Sequence, residues 1–337
     1  MTYSRDRPSR LRRLALASAA VATLLVLSAC SAAAPQPKVT TIHSEKNTAV
    51  FQGGLYLQKD SIAALAASRL AASGQSADAS VAEQIAKVPV AIWLGDQYDD
   101  TQVVRKIELN LAAAKKQGTT PTFVLYAIPN RDCGDFSAGG FTAEKYPGWI
   151  KAVTGALKGH KATVILEPDS LAMLSNCADE AAVRIPLIRN AVKELSAAKV
   201  PVYLDAGNSH WVQPTVMADR LEKAGIEYAR GFFTNVASYY PLDDEEAYAG
   251  KVSALTGGAH YVIDVSRNGT GWKGTWCNPD GTGLGEHPHV TDGSTKLDAI
   301  LWVKSPGTSD GTCNGGPAAG QWFPRYASDL VRNRVQS

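Results

Sequence analysis

The chain has 337 residues, 45% of them hydrophobic, which is enough for one large domain with a substantial core. Its formal charge of +2 rests on the first thirty residues. Without their five arginines and one aspartate it becomes −2, which removes any charge-based case for binding nucleic acid.

Residues 1–30 read as an export signal. Arg5, Arg7, Arg10, Arg12 and Arg13 form a basic head, residues 14–29 are uncharged and mostly apolar, and the segment closes Leu27-Ser28-Ala29-Cys30. That ending is similar to a bacterial lipoprotein signal, with Cys30 as the lipidated first residue of the mature chain and the membrane as its anchor. An ordinary cleaved signal and an uncleaved anchor are the alternatives. Arg12-Arg13 is a weak pointer to twin-arginine export. Residues 31–47, rich in Ala, Pro, Gln and Thr, read as a flexible tether, and 48–337 as one folded domain.

Along that domain apolar β-rich runs recur at 88–94, 121–128, 162–167, 200–204, 231–236, 260–265 and 299–303. Helix-like stretches lie between them at 100–117, 142–157, 179–198 and 213–224, with an earlier one at 60–72. Seven short buried strands with helical crossovers point to a parallel α/β barrel or an open parallel sheet. Residues 268–294 and 305–322 read as long loops, the first carrying Trp272, Trp276 and Asn278. No strand leads into a Gly-x-Gly-x-x-Gly turn, which disfavours a nucleotide-binding enzyme.

The strand ends hold the polar residues. The third run stops at Glu167-Pro168-Asp169, where proline is expected to keep Glu167 extended and Asp169 either caps a helix or does chemistry. Other ends carry Asp96, Asp132, Asp205, Asn208, Trp211, Asn235, Asp264, Lys304 and Asp310. Read alone, Asp205 and Asp310-Gly311 also suit simple turns, and a lone Trp suits a core. Converging on one rim, carboxylates among tryptophans suit sugar binding and acid–base cleavage of a glycosidic bond. His210, beside Trp211, is a further candidate for ligand contact, and the remaining histidines carry no assignment. Four cysteines besides Cys30 suggest two disulfides, with three pairings open. Without a Cys-x-x-Cys pair a zinc site is disfavoured, and neither metal nor cofactor is expected.

Five ordered motifs resemble glycoside hydrolase family 6, the endoglucanases and cellobiohydrolases that cut β-1,4-glucan. They are Tyr126-x-x-Pro129-Asn130-Arg131-Asp132-Cys133, Glu167-Pro168-Asp169-Ser170-Leu171, Tyr203-Leu204-Asp205-Ala206-Gly207, Trp276-Cys277-Asn278, and Trp302-Val303-Lys304 leading to Asp310-Gly311. The resemblance runs from about Phe51 to the C-terminus. It implies a distorted seven-stranded parallel β/α barrel, TIM-like, as a single catalytic domain over 48–337. It also implies hydrolysis with inversion, in which an acid protonates the leaving oxygen while water attacks the anomeric carbon.

Carried onto this chain, the resemblance makes Asp169 the general acid. Asp132 becomes the acid that tunes it and relays a proton, Asp205 a supporting carboxylate, and Asp310 the carboxylate often proposed as base. Tyr126 crowds the sugar at the cleavage point, and Ser137 holds the water, given a one-residue gap in spacing. Trp93, Trp211 and Trp276 match sugar-stacking positions, and Lys304 a sugar-hydroxyl contact. Asn208 and Asn235 join the substrate-binding set. The family pairs Cys133 with Cys177 and Cys277 with Cys313.

Two positions depart from the family pattern: Asn208 stands where a histidine is usual, and Thr308 where an acid is usual. Losing that acid removes an acceptor for sugar hydroxyls, at a cost on the order of 1–3 kcal/mol. The reading is therefore an exported, membrane-tethered, monomeric endoglucanase with an open groove. A glucan-binding protein with lost catalysis, or a hydrolase of another β-glucan, are the alternatives.

Overall fold

The computed structural model describes residues 45–335. The expected export signal, Cys30 and most of the expected tether lie outside the described residues. Asn47, at the end of the expected tether, opens a short helix, α1 (Asn47–Val50). It is already buried, and its amide donates to the main-chain oxygen of Thr291 at 2.7 Å. Among the described residues no helix is long and apolar enough to cross a membrane.

The sheet runs β1 (Ile92–Gly95), β2 (Thr122–Tyr126), β3 (Thr163–Leu166), β4 (Val202–Asp205), β5 (Gly231–Thr234), β6 (His260–Asp264), β8 (Leu297–Leu301) and β7 (His289–Val290) in spatial order. All neighbours pair parallel except β7, which lies antiparallel on β8. The seven expected strands are the seven parallel ones. The eighth is two residues long and lies in the stretch 268–294, expected as loop.

Between β1 and β8 no ladder forms. One backbone bond, Ala91 N to Trp302 O at 2.9 Å, and the Trp93 indole N–H to Val303 O at 2.8 Å, bridge this seam. The result is a distorted barrel. Its interior holds Val124, Ile165, Tyr203, Phe233, Val262 and Ala299, one inward position from each of β2 to β6 and β8. Phe51 closes the N-terminal end by stacking on Tyr203 at 6.4 Å. Below the same end Arg230 forms a fully buried ion pair with Asp298 at 2.8 Å, joined by Tyr203 and His260.

The larger core lies between sheet and helices. Local signals explain the better-marked helices. Asp99 and Gln102 form a capping box on α4 (Asp100–Gln117), and Gly118 ends it in the left-handed conformation. Pro214 opens α7 (Pro214–Ala224) and Gly225 closes it. Helix α2 (Ile62–Ala72) packs with α3 (Ser76–Ala86), while α5 (Tyr146–Leu157) and α6 (Ala181–Ala197) cover the sheet. Besides the one-turn α1, three helices were not anticipated: α3, α8 (Leu242–Leu255) and α9 (Pro324–Arg332). The buried stripe of α3 is Ala79, Ala82 and Ile85, and that of α8 includes Ala249 and Ser253, small side chains that give weak periodicity.

Candidate active site

The C-terminal strand ends form a rim where backbone strain concentrates. Asn130, Asp132, Cys133, Glu167, Asp169, Asn235, Ala237 and Asn278 all have positive φ. For residues with a Cβ this costs energy, and it persists only where the surroundings over-determine it. Glu167 is one such case and corrects the expectation of an extended residue: its φ is +52°. Its buried carboxylate accepts from Ala127 N and Ile128 N, at distances of 2.9 to 3.1 Å, which fixes the turn and ties it to the end of β2. Burial pushes its pKa up to about 7 against the opposing pull of those N–H groups.

Asp169 does not cap a helix. The following residues make a 3-10 turn, Ala172–Ser175, and its N–H groups are capped from the next strand instead. Asp205 Oδ2 accepts from Leu171 N at 2.9 Å and Ala172 N at 2.8 Å, while Oδ1 accepts from Gly207 N at 3.0 Å. Gly207 has φ +62°, and a Cβ there would lie 2.8 Å from that of Ala172, so glycine is required for this approach. The capping work thus falls to Asp205 and leaves the Asp169 carboxyl half-buried and uncommitted. Burial, then the charges of Asp205 and Asp132, raise the Asp169 pKa well above the carboxylate range. Burial raises the Asp205 pKa as well, but its backbone N–H bonds oppose this, so Asp205 is the member of the pair that ionises first.

Asp132 lies on the loop after β2, pinned by Arg131. That guanidinium bonds Asp96 Oδ1 and Tyr126 O, both at 2.7 Å, and lies 4.6 Å from the Tyr126 ring centre. Ser137 N donates to Asp132 Oδ2 at 2.7 Å. Burial raises the Asp132 pKa, against that bond. The Tyr126 hydroxyl is pushed well up by burial and by the nearby Asp169 and Asp132 charges.

Asp310 is the opposite case. Arg267 Nη1 contacts both of its oxygens, at 2.9 and 2.8 Å, and Lys304 Nζ lies 2.8 Å from Oδ1. Tyr239 OH and Asn278 N complete the shell at 3.2 and 3.1 Å. Burial would raise its pKa, but the two cations outweigh it and hold the group well below the usual range. Lys304 is itself aimed by Asp264, whose oxygens accept from Lys304 N, Val303 N and Ser266 N.

A cleft of about 550 Å³ opens along the seam between β1 and β8, lined among others by Trp93, Tyr126, Arg131, Phe136, Ser137, Lys304 and Thr308. Trp276 is 44% exposed and leans on Phe136 at 5.9 Å. Trp211 is half-buried, its indole N–H 3.3 Å from Asn176 Oδ1. Thr308 turns its hydroxyl onto Ser305 O at 2.7 Å.

Asn235 is a correction. It is fully buried, donating to Tyr240 O and Asp264 O at 3.0 Å, so it braces the loop and reaches no ligand. Asn208 is also buried, donating to Ser238 Oγ at 3.1 Å and accepting from His210 N at 3.0 Å.

Disulfides join Cys133 to Cys177 and Cys277 to Cys313, beside Asp132 and Asp310 respectively. Among the described residues no group of three His, Cys, Asp or Glu side chains could hold a metal ion.

Sequence reasoning missed Arg267, Arg184, Tyr239 and the anchoring part of Glu167. Arg184 is buried on α6, bonds Ser170 O and Asn130 O, and acts on Asp169. It shares a helix face with the buried Ile188, Ala191 and Leu195, and a charged residue in such a stripe was the available signal.

The sequence profile of the family described as Glycosyl hydrolases family 6 matches residues 52–334. "Endoglucanase A" of Cellulomonas fimi is 43% identical over 263 residues, which cover 78% of this chain and 58% of that protein. The chain thus spans a little over half the length of that relative. "Endoglucanase 1" of Streptomyces halstedii is 35% identical over 92% of this chain and 97% of its own. The endoglucanase Cel6 of Mycobacterium tuberculosis, solved with methyl-cellobiosyl-4-deoxy-4-thio-β-D-cellobioside, is 41% identical. It superposes with a TM-score of 0.77, over 83% of this chain and 96% of that one.

Proposed function

Since the chain belongs to glycosyl hydrolase family 6, we propose that it is an endo-acting β-1,4-glucanase that cuts cellulose or a related β-glucan with inversion at the anomeric carbon. The observation that carries this reading is the pairing of a proton-holding Asp169 with a permanently charged Asp310 at one aromatic-lined rim. Glycoside hydrolysis needs a protonated acid for the leaving oxygen and negative charge facing the oxocarbenium-like transition state.

Asp169 is the general acid. Asp205 supports it by capping the turn and keeping a negative charge beside it. Asp310, held by Arg267 and Lys304, has little affinity for a proton and serves as the fixed anion that stabilises the developing positive charge. Asp132, with its raised pKa and one bond from Ser137 N, is the better acceptor for the proton released from water. Tyr126 and Trp93, edge to face at 5.2 Å, shape the sugar site next to Lys304, and Trp276 and Trp211 offer further stacking faces.

Export is part of the reading, supported by the signal-like head and the two disulfides, with lipid attachment at Cys30. Mass spectrometry of the mature N-terminus tests it, and an unmodified Cys30 or cleavage elsewhere refutes the anchor.

The test of function is turnover of cellohexaose and carboxymethyl-cellulose by the purified protein, with anomers resolved by chromatography. Internal cuts yielding α-anomers, abolished in Asp169→Asn, are expected. Binding of cellohexaose without any turnover would make this a glucan-binding protein instead.

A further inference from the structure

Three loops that follow different strands bring their rings into one stack on the rim. His210, after β4, lies face to face with Tyr240, after β5, with centroids 4.1 Å and planes 10° apart. Tyr240 stacks in turn on Trp272, in the long loop after β6, at 5.5 Å and 11°. The backbone under the stack is fixed: Asn235 and Asn268 both donate to Tyr240 O, at 3.0 and 3.2 Å.

Trp272 remains 42% exposed even though Tyr240 covers one face and Tyr239 packs against it at 6.3 Å. A large indole held rigid by a stack yet left open to water is a feature the core does not need. Beneath its surface the stack is joined to the Asp310 shell through Tyr239. The hydroxyl of Tyr239 donates 3.2 Å to Asp310 Oδ2 and lies 3.1 Å from Trp276 O. Around the barrel, Trp93 lies within β1, Asp169 follows β3, and the stack spans the ends of β4 to β6. A linear chain laid from Trp93 past Asp169 meets the stack on the far side.

We propose that Trp272, backed by Tyr240 and His210, is a distal sugar platform that binds one glucose ring of the glucan chain beyond Trp276, on the side away from Trp93. The apolar C–H face of a pyranose fits the open indole face. Because the stack already fixes the ring, little side-chain freedom is lost on binding. This inference rests on the glucanase reading and extends it.

The test compares cellohexaose with cellotetraose. In Trp272→Ala the ratio of kcat/KM for the longer over the shorter substrate falls about tenfold, and the fall resides in KM. Trp272→Phe restores most of the ratio, which a merely structural loss would not allow. A ratio equal to that of the wild type, or an equal loss in kcat at both lengths, overturns the platform. If Trp272→Ala does not fold, Trp272→Leu carries the same comparison. A wild-type protein that turns over neither substrate overturns the glucanase reading. The platform is then tested by calorimetry, as the ratio of cellohexaose to cellotetraose affinity in wild type and Trp272→Ala, and an unchanged ratio overturns it.

Discussion

Two strand ends of this barrel present the same side chain in opposite states. After β3, Asp169 has no cation in contact. Burial and two neighbouring carboxylates keep its proton on. After β8, Asp310 is buried more deeply, but Arg267 and Lys304 hold it ionised. Burial alone would raise both pKa values, so the difference comes from the partners. An acid site is made by withholding cations, and an anion site by supplying two.

The comparison breaks most visibly at Asp169. Asp169→Asn should lower kcat on unsubstituted glucan by roughly a thousandfold, the range for a lost general acid. On a dinitrophenyl glycoside, whose leaving group needs no proton, much of that loss should be absent. Equal losses on both substrates would show that Asp169 acts otherwise.

At the other end, Arg267→Met leaves a buried carboxylate short of its main partner. The expected cost is about 3–5 kcal/mol of stability, read from chemical denaturation. A loss within the scatter of surface variants would mean the pair is not what holds Asp310 charged.

A smaller effect sharpens the contrast. Asp205→Asn removes the negative neighbour of Asp169 and replaces a carboxylate that accepts three N–H bonds. Stability should fall by about 2 kcal/mol. The basic limb of the kcat profile should also move down by about one pH unit, because Asp169 then releases its proton more readily. A limb that stays in place would separate Asp205 from the acid.

A pH effect concerns Glu167, which ties the turn after β3 to the end of β2. Its pKa rises from the ordinary 4.5 to about 7. The folded protein therefore keeps a proton that the unfolded chain has released. Stability should fall as pH rises from about 4.5 to 7, by roughly 3 kcal/mol at most. Glu167→Gln should flatten that slope in denaturation curves at several pH values. An unaltered slope would place the titration elsewhere.

The fold was legible because strands and breakers are local. Each parallel strand is a short apolar run ending at polar or turn residues, and this pattern survives in any context. The two-residue β7 has no such pattern and exists through its pairing with β8. The candidate site was legible in its acids through the family resemblance, whose motifs carry Asp132, Asp169, Asp205 and Asp310, and all four lie at or after strand ends. Asn235 was misread for the same reason: it stands at a strand end, but its amide turns inward to Tyr240 O and Asp264 O. Glu167 was misread because the rule for a residue before proline yields to two backbone N–H groups from another strand.

The sequence by itself determined the parallel strands with helical crossovers, the cysteine count that permits two disulfides, and the polar residues at the strand ends, while closure into a barrel was implied by the family resemblance. The first three follow from side-chain periodicity and spacing within short windows. Only the tertiary structure decided which aspartate keeps its proton, which is locked as an anion, and which strand's acid caps the turn after Asp169. Protonation is fixed by partners distant in the chain. Arg267 reaches Asp310 from 43 residues away, and Asp205 reaches Leu171 from 34, and no local pattern records which of them will meet.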